Sequence, residues 1–209
     1  KFRPYRPDIR LVPLGFAKEI FQGKKIRCKK PHTRPVVGFV GGITRRIDYR
    51  LLAAVVKRLP NVAFQFYGSC RSDVFDKNGA LDKDVNAFFS LANVYWKGAV
   101  SKQKLPSVIS SFDLCIVPYR ISDPFNTYCF PMKIMEYFFM GKPVLSTPIE
   151  ELRRFPRFIH IASHPEDWEN FIRLVLSKHW PVLYQRAQRN IANANSWERK
   201  ISRLTAQIA

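Results

Sequence analysis

The sequence predicts an α/β fold: a Rossmann-like, doubly wound parallel sheet of about six strands with helices on both faces. Three observations lead to this fold class. From residue 35 onward, apolar runs of strand length alternate with segments of helical period, as in successive βαβ units. Glycine directly follows several of these runs, where a strand would turn. The 209 residues, 46% of them hydrophobic, suffice for one full core and are too few for two substantial α/β domains.

Six short segments are predicted to be strands because each is apolar and bounded by turn residues. The first, Val36–Val40, ends at Gly41-Gly42, and the second ends at Gly68-Ser69. Helical segments separate the strands, which indicates a mainly parallel sheet. The predicted strands are 36–40, 62–67, 94–96, 114–117, 143–146 and 158–161.

The segments between the strands place apolar residues at helical spacing. Pro106 favours a helix start and Gly141 a helix stop. The polar stretch at 70–84 and the segment 118–130 are expected to be loops. The predicted helices are 48–59, 85–91, 105–112, 131–140, 168–176 and 197–208.

Positive charge is concentrated before the first strand. The chain carries a formal net charge of +19, and residues 1–34 contribute eleven Lys and Arg against two acidic residues. Such a segment is either a solvated linker or a basic surface that faces a membrane or an acceptor. No apolar run approaches the ~18 residues that span a bilayer, and the N-terminus lacks the apolar stretch of a secretory signal, so a soluble, cytoplasmic protein is expected. The four cysteines form no CxxC pair, and no metal site is indicated.

The first candidate site directly follows the first strand. Gly41 and Gly42 would let the backbone approach a ligand, and Arg45 and Arg46 offer guanidinium groups to phosphate oxygens. Ligands of open parallel sheets bind at the carboxyl ends of the strands, where this segment lies. However, glycines at a strand end are also ordinary turn residues, and the segment is neither a GxGxxG fingerprint nor a Walker A loop.

The second candidate site lies where the segment 118–130 runs into a helix. Lys133 falls in the first helical turn, where backbone N–H groups favour phosphate, and Asn126 and Thr127 offer donors just before it. Glu136 lies three residues after Lys133 on the same helical face and can accept from two vicinal hydroxyls. This pattern fits the diphosphate and ribose of a nucleotide. An exposed i,i+3 ion pair explains it equally well.

The third candidate site lies on the third strand. Tyr95 and Lys97 flank Trp96 next to the expected phosphate site. They are candidates for a pocket that holds a nucleotide base, although aromatic residues on a strand more often belong to the core.

Many short motifs occur in an order known from one family. They are VGFVGG at 37–42, RIDY at 46–49, FYG at 66–68, PMK at 131–133, EY at 136–137 and GKPV at 141–144. In this order they resemble the C-terminal, donor-binding domain of GT-B glycosyltransferases, in particular the group 1, family 4-like type. Because the resemblance covers essentially the whole chain, one half of a GT-B fold is expected.

The resemblance implies that the substrate is a nucleoside diphosphate sugar, with a UDP-sugar ahead of a GDP-sugar, and that neither a metal nor another cofactor takes part. Glu136 is expected to bind the ribose, and Asn126, Thr127 and Tyr128 to face the phosphate and the sugar. The diphosphate is expected to contact Gly41, Gly42, Arg45, Arg46 and Lys133.

Two departures from the family pattern bear on function. Tyr128 stands where many members carry a second glutamate, so the sugar contact and the stereochemistry of transfer stay open. The acceptor-binding domain that precedes this one in the family is absent from the sequence, and the catalytic residues are expected there. We therefore expect a basic interdomain segment at 1–34, a sugar-nucleotide-binding domain at 35–190, and at 191–209 a helix that packs toward the absent domain. Alone, the chain should transfer nothing.

The expected function is donor binding for sugar transfer in surface polysaccharide or glycolipid synthesis, with peripheral attachment to the anionic inner face of the plasma membrane as an option. One alternative is a non-catalytic sugar-nucleotide-binding domain. The other is a nucleic-acid-binding domain, which the charge suggests. The aromatic residues lie mainly in apolar segments and no RRM, KH or zinc-finger signature occurs, so no nucleic acid partner is expected.

Overall fold

The computed structural model describes residues 14–23 and 34–208, with side chains described through residue 206. Most of the basic segment predicted at 1–34 therefore lies outside the described residues. The remainder of the chain forms the α/β domain that follows.

Within the described residues, six parallel strands form one sheet in the order β3-β2-β1-β4-β5-β6. The chain starts at the centre, builds outward to β3, and then crosses back to the other side of β1. The order therefore reverses between β1 and β4, which is where open sheets of this type bind ligands. The predicted six-stranded parallel sheet is confirmed. The strands are β1 (Val36–Val40), β2 (Ala63–Tyr67), β3 (Val94–Trp96), β4 (Leu114–Val117), β5 (Val144–Ser146) and β6 (Ile159–Ile161).

Helices cover both faces of the sheet, as the sequence predicted. Helix α1 packs against α2 and α6, and α5 packs against α7. The helices are α1 (Tyr49–Arg58), α2 (Lys83–Phe89), α3 (Leu105–Ser111), α4 (Pro124–Tyr128), α5 (Lys133–Phe139), α6 (Pro165–Ser177), α7 (Val182–Ala194) and α8 (Trp197–Ile208).

Strand β1 shows why the strands could be predicted from apolar runs in the sequence. All five of its residues are buried, because helices cover the sheet on both sides, and the strand is a continuous apolar run. Gly38 in its middle has a packing reason: a Cβ at this position would lie 2.2 Å from the ring of Phe112.

Two helices were not predicted. Helix α4 lies inside the segment predicted as a loop and is too short to show a helical period. It begins because the Asp123 carboxylate accepts a hydrogen bond from the Phe125 backbone N–H (2.9 Å) and Pro124 fits the first turn. Helix α7 was not predicted because its buried face includes Gln188 and is therefore not a continuous apolar stripe. The Gln188 amide accepts from the Trp180 indole (2.9 Å) and donates to the Lys142 carbonyl (2.7 Å).

The last helix packs against the short segment at 14–23. The Trp197 N–H donates to the Phe16 carbonyl (3.1 Å), and the Lys200 ammonium donates to the Leu14 carbonyl (2.8 Å). Three large apolar side chains of α8 nevertheless remain partly exposed: Trp197 (43%), Ile201 (54%) and Leu204 (36%). None of the helices in the described ranges is long and apolar enough to cross a membrane.

Candidate functional site

The loops that follow β1 and β4 are hydrogen-bonded to each other at the point where the strand order reverses. Ile47 and Tyr119 form an antiparallel bridge, and the Asp48 N–H donates to the Pro118 carbonyl (2.8 Å). The Arg120 N–H donates to the Arg46 carbonyl (2.7 Å). The sheet thus positions both loops, although 80 residues separate Arg46 from Asn126 along the chain.

A cavity of about 360 Å³ lies beside these loops, at the carboxyl ends of β1, β2 and β3. It brings together four residues that the sequence singled out: Gly41, Gly42, Lys133 and Glu136. The strand-end glycines and the first turn of α5 therefore form one site.

Two glycines keep this cavity open. Gly41 has a φ of +141°, and a Cβ there would lie 2.4 Å from the Lys133 ammonium nitrogen. A Cβ at Gly68 would lie 1.9 Å from the carbonyl oxygen of Gly41. Any side chain at either position would displace Lys133 or the backbone of the loop after β1.

The ammonium group of Lys133 lies close to two aromatic rings. The residue as a whole is half-buried, but its ammonium nitrogen lies 3.7 Å from the centroid of the Phe39 ring and 5.1 Å from that of Tyr119. Burial lowers the pKa of Lys133, and the Tyr119 hydroxyl and the Glu136 carboxylate partly offset this effect. The cation is therefore desolvated before any ligand arrives.

Glu136 lies one helical turn further along α5. Burial raises the pKa of its carboxyl group, while Lys133 and Lys102 lower it. Lys102 was not singled out from the sequence, since nothing distinguishes it from the other lysines in the polar stretch after β3. Glu136 is thus half-buried, and the charges of two lysines act on its carboxylate.

Arg46 lies next to the cavity without being among the residues that line it. Its guanidinium carbon lies 4.5 Å from the centroid of the Tyr119 ring, which also faces Lys133. The two cations therefore share one aromatic neighbour.

Arg45 points elsewhere. Its backbone N–H donates to the Asp73 carboxylate (3.1 Å) and its guanidinium pairs with Asp82 (3.3 Å). These contacts place it in a second, polar cavity of about 460 Å³, which Arg50 and Asp84 also line. Neighbouring residues of a non-helical loop project in different directions, and here Arg45 lines the second cavity while Arg46 lies beside the first.

The three residues predicted for the phosphate and sugar lie on α4, and none is among those that line the first cavity. Asn126 is 1% exposed, and its amide bonds to Arg46 and to the Arg120 carbonyl. The Thr127 hydroxyl donates to the Ile121 carbonyl (2.9 Å). Tyr128 is 70% exposed.

The two candidates for the base pocket contact each other at the edge of the sheet. Tyr95 lies on β3, and Lys97 directly follows that strand. The Lys97 ammonium lies 5.2 Å from the Tyr95 ring centroid, and neither residue is among those that line the cavity. The lining near β3 comes from Ala99, Val100 and Leu105. These residues carry no sequence signal of a site, because small apolar residues after a strand are common.

Four comparisons place these observations among known proteins. A family model for group 1 glycosyl transferases matches residues 34–176. A Bacillus subtilis (strain 168) glycosyltransferase, TuaH, whose name assigns it to teichuronic acid biosynthesis, is 28% identical over 166 residues, covering 78% of this chain and 40% of TuaH. Sucrose-phosphate synthase from Thermosynechococcus elongatus superposes with a TM-score of 0.72 at 20% identity, covering 95% of this chain and 52% of that one. Anabaena HepE in complex with UDP-glucose gives a TM-score of 0.66 at 14% identity, covering 84% and 49%.

The two solved structures show that the fold is shared. Sequence identities of 20% and 14% support no further conclusion about function. The chain spans well under half the length of the curated relative and about half the length of each solved structure.

Proposed function

The chain belongs to the group 1 glycosyl transferases, and we propose that it forms the donor-binding half of such an enzyme, which transfers a sugar from a nucleoside diphosphate sugar to an acceptor. The observation that carries this proposal is the cavity in which Gly41, Gly42, Lys133 and Glu136 meet at the carboxyl end of β1, the strand at which the order reverses. Its charge and shape suit a nucleotide with two phosphates.

The diphosphate lies against Lys133 and the two glycines in this proposal. The lysine is desolvated in the empty cavity, so an anionic partner that restores its interactions gains more than it would in water. The glycine backbone leaves room for phosphate oxygens beside it. Arg46 supplies a second cation. Together these charges would stabilise the leaving nucleoside diphosphate, which is why we propose transfer without a metal ion.

Glu136 binds the ribose in this proposal. Its carboxylate lies one turn after Lys133 in the same cavity, so phosphate and sugar of one nucleotide can contact both. An ionised carboxylate can accept hydrogen bonds from two neighbouring hydroxyls. Burial raises the pKa of Glu136, and the lysines on either side help to keep the group ionised.

The base lies toward the loop after β3. Ala99, Val100 and Leu105 line the cavity there and offer an apolar surface to a planar ring. We therefore propose these residues for the base in preference to Tyr95 and Lys97. A UDP-sugar is the first donor to test because solved structures with the same fold include one in complex with UDP-glucose.

The acceptor belongs to a domain outside this chain in our proposal. The chain spans 40% of TuaH, and the exposed apolar side of α8 offers that domain a contact surface. Donor binding would then reside here, while transfer would need both domains. The likeness to TuaH supports an acceptor in surface polysaccharide synthesis.

Peripheral attachment to an anionic membrane is part of the same proposal, since the chain carries a net charge of +19. Sedimentation with vesicles of anionic lipid should show binding at low salt and none at high salt. Equal binding to neutral vesicles would contradict this.

Calorimetric titration of the full chain with UDP, GDP and UDP-glucose tests the central claim. We expect saturable binding of one nucleotide per chain, with UDP and UDP-glucose tighter than GDP. If a chain that melts cooperatively binds none of the three, the proposal is wrong. If it binds UDP-glucose, but a protein that also contains the acceptor domain never releases UDP with any acceptor, the non-catalytic alternative is correct.

A further inference from the structure

We infer that the short helix α4 is a positioning element: through Asn126 and Phe125 it holds the Arg46 guanidinium ready for the donor diphosphate. Neither Asn126 nor Phe125 is among the residues that line the cavity, so they act through Arg46 rather than on the ligand. This inference rests on the proposed function, since it assigns how one of its cations is oriented.

Asn126 closes a ring of hydrogen bonds around Arg46. Its Oδ1 accepts from the Arg46 Nε (2.7 Å), and its Nδ2 donates to the Arg120 carbonyl (2.9 Å). The Arg120 N–H in turn donates to the Arg46 carbonyl (2.7 Å). The buried amide of Asn126 thereby links the side chain of Arg46 to Arg120, the residue that also bonds the Arg46 backbone.

Two aromatic rings also lie close to the guanidinium. Its carbon lies 4.5 Å from the Tyr119 ring centroid and 4.9 Å from that of Phe125. At one edge, Nη2 donates to the Cys129 sulfur (3.3 Å), whose thiol donates to the Asn126 carbonyl (3.3 Å). Burial raises the pKa of Cys129, which keeps the thiol protonated for this bond.

These contacts leave three of the five guanidinium N–H donors for a ligand. They also remove the rotational freedom that a free arginine side chain would lose on binding an anion. These contacts come from one short segment, since Phe125 and Asn126 of α4 and Cys129 directly after it all contact Arg46. A five-residue helix that buries one asparagine gains little stability by itself. We therefore attribute the position of α4 beside Arg46 to its contacts with that side chain.

A double-mutant cycle tests this inference, with UDP affinity measured by calorimetry on the full chain. Asn126→Ala should weaken UDP binding about tenfold, because Arg46 is present but no longer fixed. In the Arg46→Ala background, Asn126→Ala should change the affinity by less than twofold, because nothing remains to be positioned. Ser177→Ala is the matched control: it removes a hydroxyl bond to the Leu174 carbonyl at the end of α6 that does not involve Arg46, and the affinity should not change.

Phe125→Leu supplies a second variant if Asn126→Ala does not fold. This side chain is 66% exposed, so the replacement is tolerated, and it removes one aromatic face from Arg46. We expect a loss of about threefold in UDP affinity that vanishes in the Arg46→Ala background.

The outcomes separate the two claims. If the unmodified chain binds UDP and Lys133→Met weakens it, but Asn126→Ala and Phe125→Leu do not, the inference is wrong and the donor site stands. Equal losses from Asn126→Ala with and without Arg46 would show a general structural role and would also overturn it. If the folded, unmodified chain binds no nucleotide, both claims fail.

Discussion

The two cavities at the carboxyl ends of the strands differ in how their positive charges are balanced. In the second cavity, two of the three lining arginines have an aspartate partner: Arg45 pairs with Asp82 (3.3 Å) and Arg50 with Asp84 (3.0 Å). In the first cavity, none of the described carboxylates forms an ion pair with Lys133, which faces the rings of Phe39 and Tyr119 instead. Cations that already have partners stabilise a loop, whereas a desolvated cation without one can gain from an anionic ligand. This contrast supports our proposal that the first cavity is the donor site.

Lys133→Met gives the largest expected effect. It should weaken UDP binding about a hundredfold, because a desolvated cation is lost from the diphosphate. The free energy of unfolding should not fall, since the pKa of Lys133 is lowered by folding and its charge therefore costs stability at neutral pH. Calorimetry and urea denaturation measure the two quantities.

Lys57→Met is the matched control for this variant. Lys57 is exposed on the last turn of α1. The first turn of that helix, at the opposite end, follows the loop after β1. The loss of Lys57 should change the UDP affinity less than twofold. An equal loss in both variants would mean that net charge, and not the cavity, governs binding.

Gly41→Ala tests the space rather than the charge. Its Cβ would lie 2.4 Å from the Lys133 ammonium, which must move, and we expect UDP binding to weaken about tenfold. In Gly42→Ala the nearest atom would be 3.3 Å away, in the Arg71 side chain, so a smaller loss is expected. Comparable affinities for the two variants would argue against a role for Lys133 in its present position.

The pH dependence of UDP binding should reveal the desolvated lysine. Because the pKa of Lys133 is lowered in the free protein, its charge is lost as pH rises through a range below the usual lysine value of about 10.4. The affinity should therefore decline toward alkaline pH, by up to about tenfold per pH unit. Titrations from pH 7 to pH 10 check this, and Lys133→Met should show no such decline.

Arg45→Ala gives the smallest expected effect. The pair with Asp82 is largely exposed, so its loss should cost about 0.5 kcal/mol of unfolding free energy. The UDP affinity should change less than twofold, because this guanidinium belongs to the second cavity. A tenfold loss would show that the second cavity also takes part in donor binding.

Much of the fold could be read from the sequence because its signals are local. The six strands are short apolar runs, and α5 runs between Lys133 and the positive-φ Gly141 that ends it. Lys133 and Glu136 were identified together for the same reason, since a three-residue spacing on a helix fixes their shared face. Helices α4 and α7 were missed because neither has a continuous apolar stripe: one is too short, and the other buries Gln188.

The sequence by itself determined the architecture, because burial in a two-sided parallel sheet leaves a direct pattern in the chain. It also pointed to Lys133 and Glu136, which we propose as nucleotide contacts. Only the tertiary structure decided that Arg45 lines the second cavity while the adjacent Arg46 lies beside the first. The partner of Arg45 lies 37 residues away and that of Arg46 lies 80 residues away. Contacts at such separations depend on how the strands are ordered in space, and no local pattern in the sequence records them.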